Sequence, residues 1–247
     1  MTSPDVPAEK KRAFDTYQAR VEESVVLTPR NKNIRFKFLD GKTMHFKAGQ
    51  FVQIFVPDGE KPRRTSYSIA SAPQMTDGFE LCVTLVDGGK SSTFLHSLKP
   101  GDVVQAMGPL GKFTMPEPLA RDVAFVCTGS GVAPFRSMIH DLLQRGVERR
   151  LNLVFGNRYL GDIIYEKDWE EVAAKHPNFR FLFTLSRPSE AWKGEKGYVQ
   201  EKIEKLLEDP KAHDFYICGL NNMITAVTEK LKALGVPEGQ IHFERYD

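Results

Sequence analysis

Val126-Cys127-Thr128-Gly129-Ser130-Gly131-Val132-Ala133-Pro134 reads as a buried strand that enters a glycine-rich turn and leaves as a helix with proline in its first turn. A strand–turn–helix of this kind aims unpaired backbone N–H groups at one point, and the helix dipole favours an anion there. A pyrophosphate is the expected guest. The run departs from the usual Gly-x-Gly-x-x-Gly fingerprint, because Pro134 stands at the third glycine.

Beyond this stretch, strand-prone and helix-prone runs alternate: 123–127 then 134–144, 151–155 then 168–174, 179–185 then 199–207, 215–218 then 223–234, and finally 241–246. The alternation predicts an open parallel sheet covered by helices. Its second strand ends in Gly156-Asn157-Arg158, with no acid to bond a ribose 2′-hydroxyl. The third ends in Ser186-Arg187, followed by Lys193-Gly194-Glu195-Lys196-Gly197-Tyr198. A hydroxyl, a guanidinium and an ammonium suit a phosphate monoester, and Tyr198 suits an adenine, which points to NADP(H) in preference to NAD(H). A further strand–turn–helix carries Cys218, Gly219 and Leu220. Ligands of open parallel sheets sit beyond the carboxyl ends of strands, so Cys218 is expected to face the same crevice as Thr128 and Ser186. The last strand places Glu244 and Tyr246 on one face.

Before this half, from about 17 to 107, short β-prone runs (18–27, 34–39, 51–56, 66–70, 79–86, 102–106) are separated by turn residues, with one short helix near 92–98. They predict an all-β sandwich or barrel. Within them lies Arg63-Arg64-Thr65-Ser66-Tyr67-Ser68-Ile69-Ala70-Ser71. On an extended strand Tyr67 lays its ring against a flat ligand, Ser66 and Ser68 bond the ligand's polar edge, and the arginines hold an anion. A flavin nucleotide has those three parts; a polar edge strand with solvated cations is the plainer alternative. Gly88-Gly89-Lys90-Ser91-Ser92 precedes the helix, where glycines let the backbone approach an anion and Ser92 either caps the helix or bonds a phosphate. An ordinary hairpin turn there would need no ligand.

At 247 residues the chain has room for two domains. The expected division is a polar arm over 1–15, a β domain over 16–118 and an α/β domain over 119–247. A net charge of +2 gives no footprint for nucleic acid. Cys82, Cys127 and Cys218 are far apart and odd in number, so they offer neither a disulfide framework nor a metal or iron–sulfur spacing. They fit a reducing compartment. No apolar run approaches the roughly 20 residues of a membrane helix, and no secretory signal opens the chain, so no membrane insertion and a cytoplasmic location are expected.

Together these residues resemble the ferredoxin–NADP(+) reductase family from about Tyr17 to Tyr246. The resemblance implies a two-domain fold, an antiparallel β-barrel FAD-binding domain followed by an α/β open parallel-sheet NADP-binding domain, with FAD and NADP(H) as cofactors. In the flavin motif Arg-x-Tyr-Ser/Thr, Tyr67 and Ser68 match the second half. Thr65 takes the arginine position, and Arg64, one residue earlier, is expected to reach the same phosphate. Tyr67 then packs on the isoalloxazine and Ser68 lies near its N5. Gly89, Lys90, Ser91 and Ser92 resemble the flavin pyrophosphate turn, and Val83 lies in the neighbouring strand. Thr128, Gly129, Ser130, Ala133 and Pro134 are similar to the NADP pyrophosphate loop, with Asn157 and Arg158 at the next strand end. Ser186, Arg187, Lys196 and Tyr198 match the 2′-phosphate and adenine set, and Gly219 and Leu220 follow a cysteine beside the nicotinamide.

The resemblance makes Ser68, Cys218, Glu244 and Tyr246 the catalytic candidates, with the Tyr246 ring moving aside for the nicotinamide. Asp247 follows the tyrosine that ends the plant-type pattern. The implied activity is FAD-dependent electron transfer between NADPH and a one-electron protein carrier, ferredoxin or flavodoxin. The alternatives are the reductase component of an oxygenase or other redox complex, and a non-catalytic electron-transfer subunit. Lys10, Lys11, Arg12, Arg63, Arg64, Lys90 and Lys99 are candidates for a basic docking face, although scattered solvated cations explain them equally well. A monomer is expected.

Overall fold

The computed structural model describes residues 14–246. Most of the expected arm, including Lys10, Lys11 and Arg12, and the final Asp247 lie outside the described residues.

The first half forms β1 (Asp15–Thr28), β2 (Asn31–Phe38), β3 (Phe51–Val56), β4 (Arg63–Ser68), β5 (Gly78–Thr84), α1 (Lys90–Ser97) and β6 (Val103–Leu110). The strands make one antiparallel sheet in the order β4-β3-β6-β1-β2-β5. Alternate residues point inward, so Tyr17, Ala19 and Val21 of β1 join Val52, Ile54 and Val56 of β3 in one core. Tyr17 stacks on Phe38 at 4.4 Å between ring centroids, and Phe36 on Phe79 at 5.0 Å. Just past β4, Ile69 bridges Leu81 of β5, and Ala70 N–H donates to the Glu80 carbonyl at 2.8 Å. The two edge strands thereby meet and the sheet curls into a barrel. Leu95 and Leu98, from α1 and its end, pack into the same core.

The second half forms β7 (Asp122–Thr128), α2 (Ala133–Gln144), β8 (Leu151–Asn157), α3 (Glu166–Lys175), β9 (Phe179–Leu185), β10 (Glu195–Lys196), α4 (Ile203–Leu206), β11 (His213–Gly219), α5 (Asn221–Ala233) and β12 (Ile241–Arg245). These strands make a parallel sheet in the order β10-β9-β8-β7-β11-β12. Central strands covered on both faces read as unbroken apolar runs, and every residue of β8 and β11 is buried. Strand order reverses between β7 and β11, which opens a crevice at their carboxyl ends. The helix expected over 199–207 is a 3-10 turn at Val199–Glu201 followed by the single turn α4.

Ala48, Ala70 and Cys82 of the first half share a core with Phe125, Phe135 and Trp169 of the second. Arg136 of α2 ties the halves together. Its Nε donates to Asp168 at 2.7 Å, and its Nη1 donates to Glu80 at 2.8 Å and to the Ala70 carbonyl at 3.0 Å. The guanidinium lies 4.7 Å from the Tyr165 ring centroid, and the Tyr165 hydroxyl donates to Asn33 at 2.7 Å. Among the described residues no helix is long and apolar enough to cross a membrane.

Candidate functional site

Three strand ends meet where the barrel faces the crevice: Ser68 closes β4, Cys218 and Gly219 close β11, and Glu244 lies near the end of β12 with Tyr246 just past it. Cys218 pairs with Glu244 in the parallel register, and Tyr246 N–H donates to the Gly219 carbonyl at 3.0 Å. The Tyr246 hydroxyl donates to Ser68 Oγ and also meets the Cys218 thiol. Glu244 is half buried, and its Oε2 has no hydrogen-bond partner among the described residues.

Burial pushes the Glu244 carboxyl up to about 7, against the Ser68 hydroxyl, which favours its charged form. It therefore gains or loses a proton near neutrality. Burial, reinforced by the Glu244 charge, raises the Cys218 thiol, and burial raises the Tyr246 phenol. Both are protonated donors at neutral pH. Burial alone holds the Tyr67 phenol at about 12.

At the nucleotide end, α2 starts directly from a 3-10 turn over Gly129–Val132 with no side-chain cap; Ala133 N–H donates to the Ser130 carbonyl and Pro134 has none, so the orphan donors of this helix start belong to the turn ahead of it. Gly131 runs close beneath β11: a Cβ there would lie 2.8 Å from the Cys218 carbonyl carbon. Gly219 adopts a φ of +152°, and a Cβ there would lie 2.8 Å from Thr128 Oγ1. Only glycine lets the two turns approach this closely. Pro134 and Ala133 are buried in α2, holding the turn without offering side chains to a ligand.

Backbone bonds from Ser186 to Asn157 (3.0 Å) and from Arg187 to Arg158 (2.9 Å) extend the β8–β9 pairing into the loops. Arg158, Arg187, Lys196, Tyr198 and Leu220 are all exposed around this end. Tyr159 lies beside Arg187 and favours its charged form, a neighbour not read from the sequence. Asn157 is buried, with neither amide atom paired among the described residues.

At the barrel edge, strand register decides which side chains sit together. Arg63, Thr65 and Tyr67 lie opposite Val56, Ile54 and Val52, whose side chains fill the barrel core, so these three share the inward face. Arg64, Ser66 and Ser68 occupy the other face. This corrects the expectation for Arg64, which points away from Tyr67. Thr65 hydrogen-bonds Ser91, Oγ to Oγ, at 2.7 Å. Arg63 binds Asp58 Oδ2 through Nε at 3.1 Å and Nη2 at 3.0 Å, and Lys90 binds Asp58 Oδ1 at 2.7 Å.

One further expectation is corrected at this edge, and Val83 lies in β5 as expected. The α1 N-cap is Gly89, so Ser92 falls at the third helical position. Its hydroxyl is turned into the loop, donating to the Gly89 carbonyl at 3.0 Å and accepting from Val86 N–H at 3.1 Å. It does not cap the helix, and its proton is committed to the Gly89 carbonyl. The Val83 side chain is buried in the barrel core, and its carbonyl meets His96 Nε2 at 2.9 Å, so it offers a ligand no side chain.

An uncapped helix start above a glycine turn, exposed cations beyond it, and a half-buried phenol beside hydroxyls fit a dinucleotide and a flat phosphorylated ring. Residues 18–115 match the family model for oxidoreductase FAD-binding domains, and 125–229 that for oxidoreductase NAD-binding domains. Ferredoxin–NADP reductase B of Sorangium cellulosum (strain So ce56) is 39% identical over 241 residues, covering 94% of this chain and 98% of that one. The chain belongs to the ferredoxin–NADP reductase family.

Membership makes it a flavoprotein oxidoreductase with FAD and NAD(P) sites on its two halves. Other relatives of this reductase are larger. The phenol 2-monooxygenase reductase component DmpP of Pseudomonas sp. (strain CF600) is 35% identical, covering 94% of this chain but 66% of that one. The crystal structure of Amycolatopsis cytochrome P450 reductase GcoB superposes with a TM-score of 0.85 at 26% identity, over 94% of this chain and 70% of that one. What the sequence did not disclose in this reductase are long-range partners: Asp58, which lies between two β-prone runs, and the ring of groups around Arg136.

Proposed function

We propose that this chain transfers electrons between NADPH and a one-electron protein carrier, ferredoxin or flavodoxin. Residues 16–118 would hold the flavin and 119–247 the dinucleotide. The reading is carried by the meeting of Ser68, Cys218, Glu244 and Tyr246, drawn from both sheets, at the mouth of the β7/β11 crevice. When bound, FAD supplies the exchange between a two-electron hydride and single electrons.

The chain's own residues do the rest. Tyr67 supports the flat ring, and Ser68, where β4 ends against Tyr246, offers a hydroxyl to its edge. The turn Thr128-Gly129-Ser130 and the start of α2 receive the pyrophosphate of NADPH. Arg158, Ser186, Arg187 and Lys196 take its 2′-phosphate, and Tyr198 its adenine. The Tyr246 ring would move aside for the nicotinamide, its hydroxyl leaving Ser68, with Cys218 and Glu244 flanking the vacated place. Glu244 takes or gives a proton there. Such alignment is worth roughly 7–11 kcal/mol of barrier.

Three buried free thiols, Cys82, Cys127 and Cys218, support a reducing, cytoplasmic setting. The closing experiment is the visible spectrum of the purified protein, followed by reduction with NADPH and with NADH. A flavin spectrum bleached at least as well by NADPH is expected; strong NADH preference overturns the 2′-phosphate assignment. A second reading, as the reductase component of an oxygenase, rests on the 35% identity to the phenol reductase component. Coupling to an oxygenase in place of a free ferredoxin or flavodoxin separates the two.

A further inference from the structure

Thr65 stands where the family's flavin motif has arginine, and Arg64 faces the wrong way to replace it. We infer that Arg63 and Lys90, bridged by Asp58, form the cation pair that takes the diphosphate of the flavin nucleotide, with the Thr65 and Ser91 hydroxyls beside them. The inference rests on the reading of Tyr67 as the flavin-stacking residue.

Strand parity gives the first support: Arg63, Thr65 and Tyr67 lie at successive even steps on one face of β4. A ligand ring at Tyr67 thus has its tail running past Thr65 towards Arg63. The turn before α1 arrives at the same place, since Ser91 bonds Thr65 and Lys90 bonds Asp58. Arg63 and Lys90 take one carboxylate oxygen each, so the two cations stand one carboxylate's width apart. One carboxylate leaves the trio a positive charge in excess, which a diphosphate meets. Arg63 and Lys90 are more than half exposed, and exposed pairs of this kind are weak enough for a polyanion to recruit. The two hydroxyls satisfy each other with one bond and keep further donor and acceptor capacity. Ser92, turned inward, leaves Ser91 as the hydroxyl at the mouth of the turn.

The test uses the full-length chain stripped of flavin and titrated with FAD and with riboflavin, which lacks phosphate, by quenching of flavin fluorescence. Arg63→Ala and Lys90→Ala are each expected to weaken FAD about ten-fold, the scale of one charged hydrogen bond, with riboflavin unchanged. The salt dependence of FAD binding should flatten in both variants, and Arg64→Ala should move neither ligand. A clasp that merely steadies the β3–β4 hairpin would alter melting temperature and treat the two flavins alike. That result, or a loss of FAD affinity in Arg64→Ala with Arg63→Ala unaffected, overturns the inference. A chain that binds neither flavin overturns the flavin reading itself.

Discussion

Glu244 combines an unpartnered buried oxygen with a titration near 7, so a small change in its surroundings moves its proton. Glu244→Gln is expected to keep its flavin but to slow reduction by NADPH by roughly a hundredfold, the lower range for a positioned acid–base group, and to flatten the pH profile near neutrality. Stopped-flow bleaching of the flavin checks both. The same residue shapes stability. Its folded-state titration is raised from 4.5 to about 7, so the folded chain binds this proton more tightly than the unfolded one. The stabilisation is fully present below 4.5 and lost as pH rises through 7. Glu244→Gln should therefore melt higher than the parent above pH 7 and converge with it below 4.5, as melting curves across that range would register. Glu244 and Tyr246 were legible because a two-residue spacing on a strand fixes their common face. The same parity, applied strictly, would have excluded Arg64. Ser92 was misread for a different reason: the helix starts two residues earlier than 92, and position in the first turn decides whether a hydroxyl caps or turns inward.

The β7–turn–α2 element was readable because its parts carry unambiguous chemistry: an apolar strand, glycines at the turn and proline at the helix start. What the sequence did not disclose is why Gly131 must be glycine, since the reason lies in β11. Gly131→Ala forces a methyl against the Cys218 carbonyl carbon, a backbone atom that cannot swing away. The expected outcome is about 1–3 kcal/mol of lost stability and a weakened NADP(+) affinity with flavin content retained, checked by denaturant titration and equilibrium binding. The misjudged helix at 199–207 shows the limit of periodicity. Val199, Ile203 and Leu207 are buried at intervals of four, as on a helix, yet the chain enters α4 from a 3-10 turn through Lys202. A burial period describes which residues face the core and leaves the winding between them open.

Across the molecule, the β and α/β halves could be read separately, whereas the way they lock together could not. Arg136 reaches partners 56 and 66 positions away, distances at which no local pattern carries information. Arg136→Ala leaves Glu80 as a largely buried carboxylate without its cation and Asp168 with His140 alone, and about 3–5 kcal/mol of stability should be lost. Denaturant unfolding followed by tryptophan fluorescence would measure it. Asp168 is itself held down to about 2 from 3.8, hydrogen bonds and charge from His140 and Arg136 outweighing its burial. Its contribution is present above 3.8 and lost as pH falls through 2, so the parent should lose this tie only in strong acid. The bond from Tyr246 to Ser68 joins residues 178 positions apart, farther than any strand pairing in the barrel. Closing a loop of that length costs entropy that the contacts of the formed sheets must offset, which places the contact late in folding. During refolding, circular dichroism should thus recover ahead of turnover, and the interval between the two signals times the docking of one half on the other.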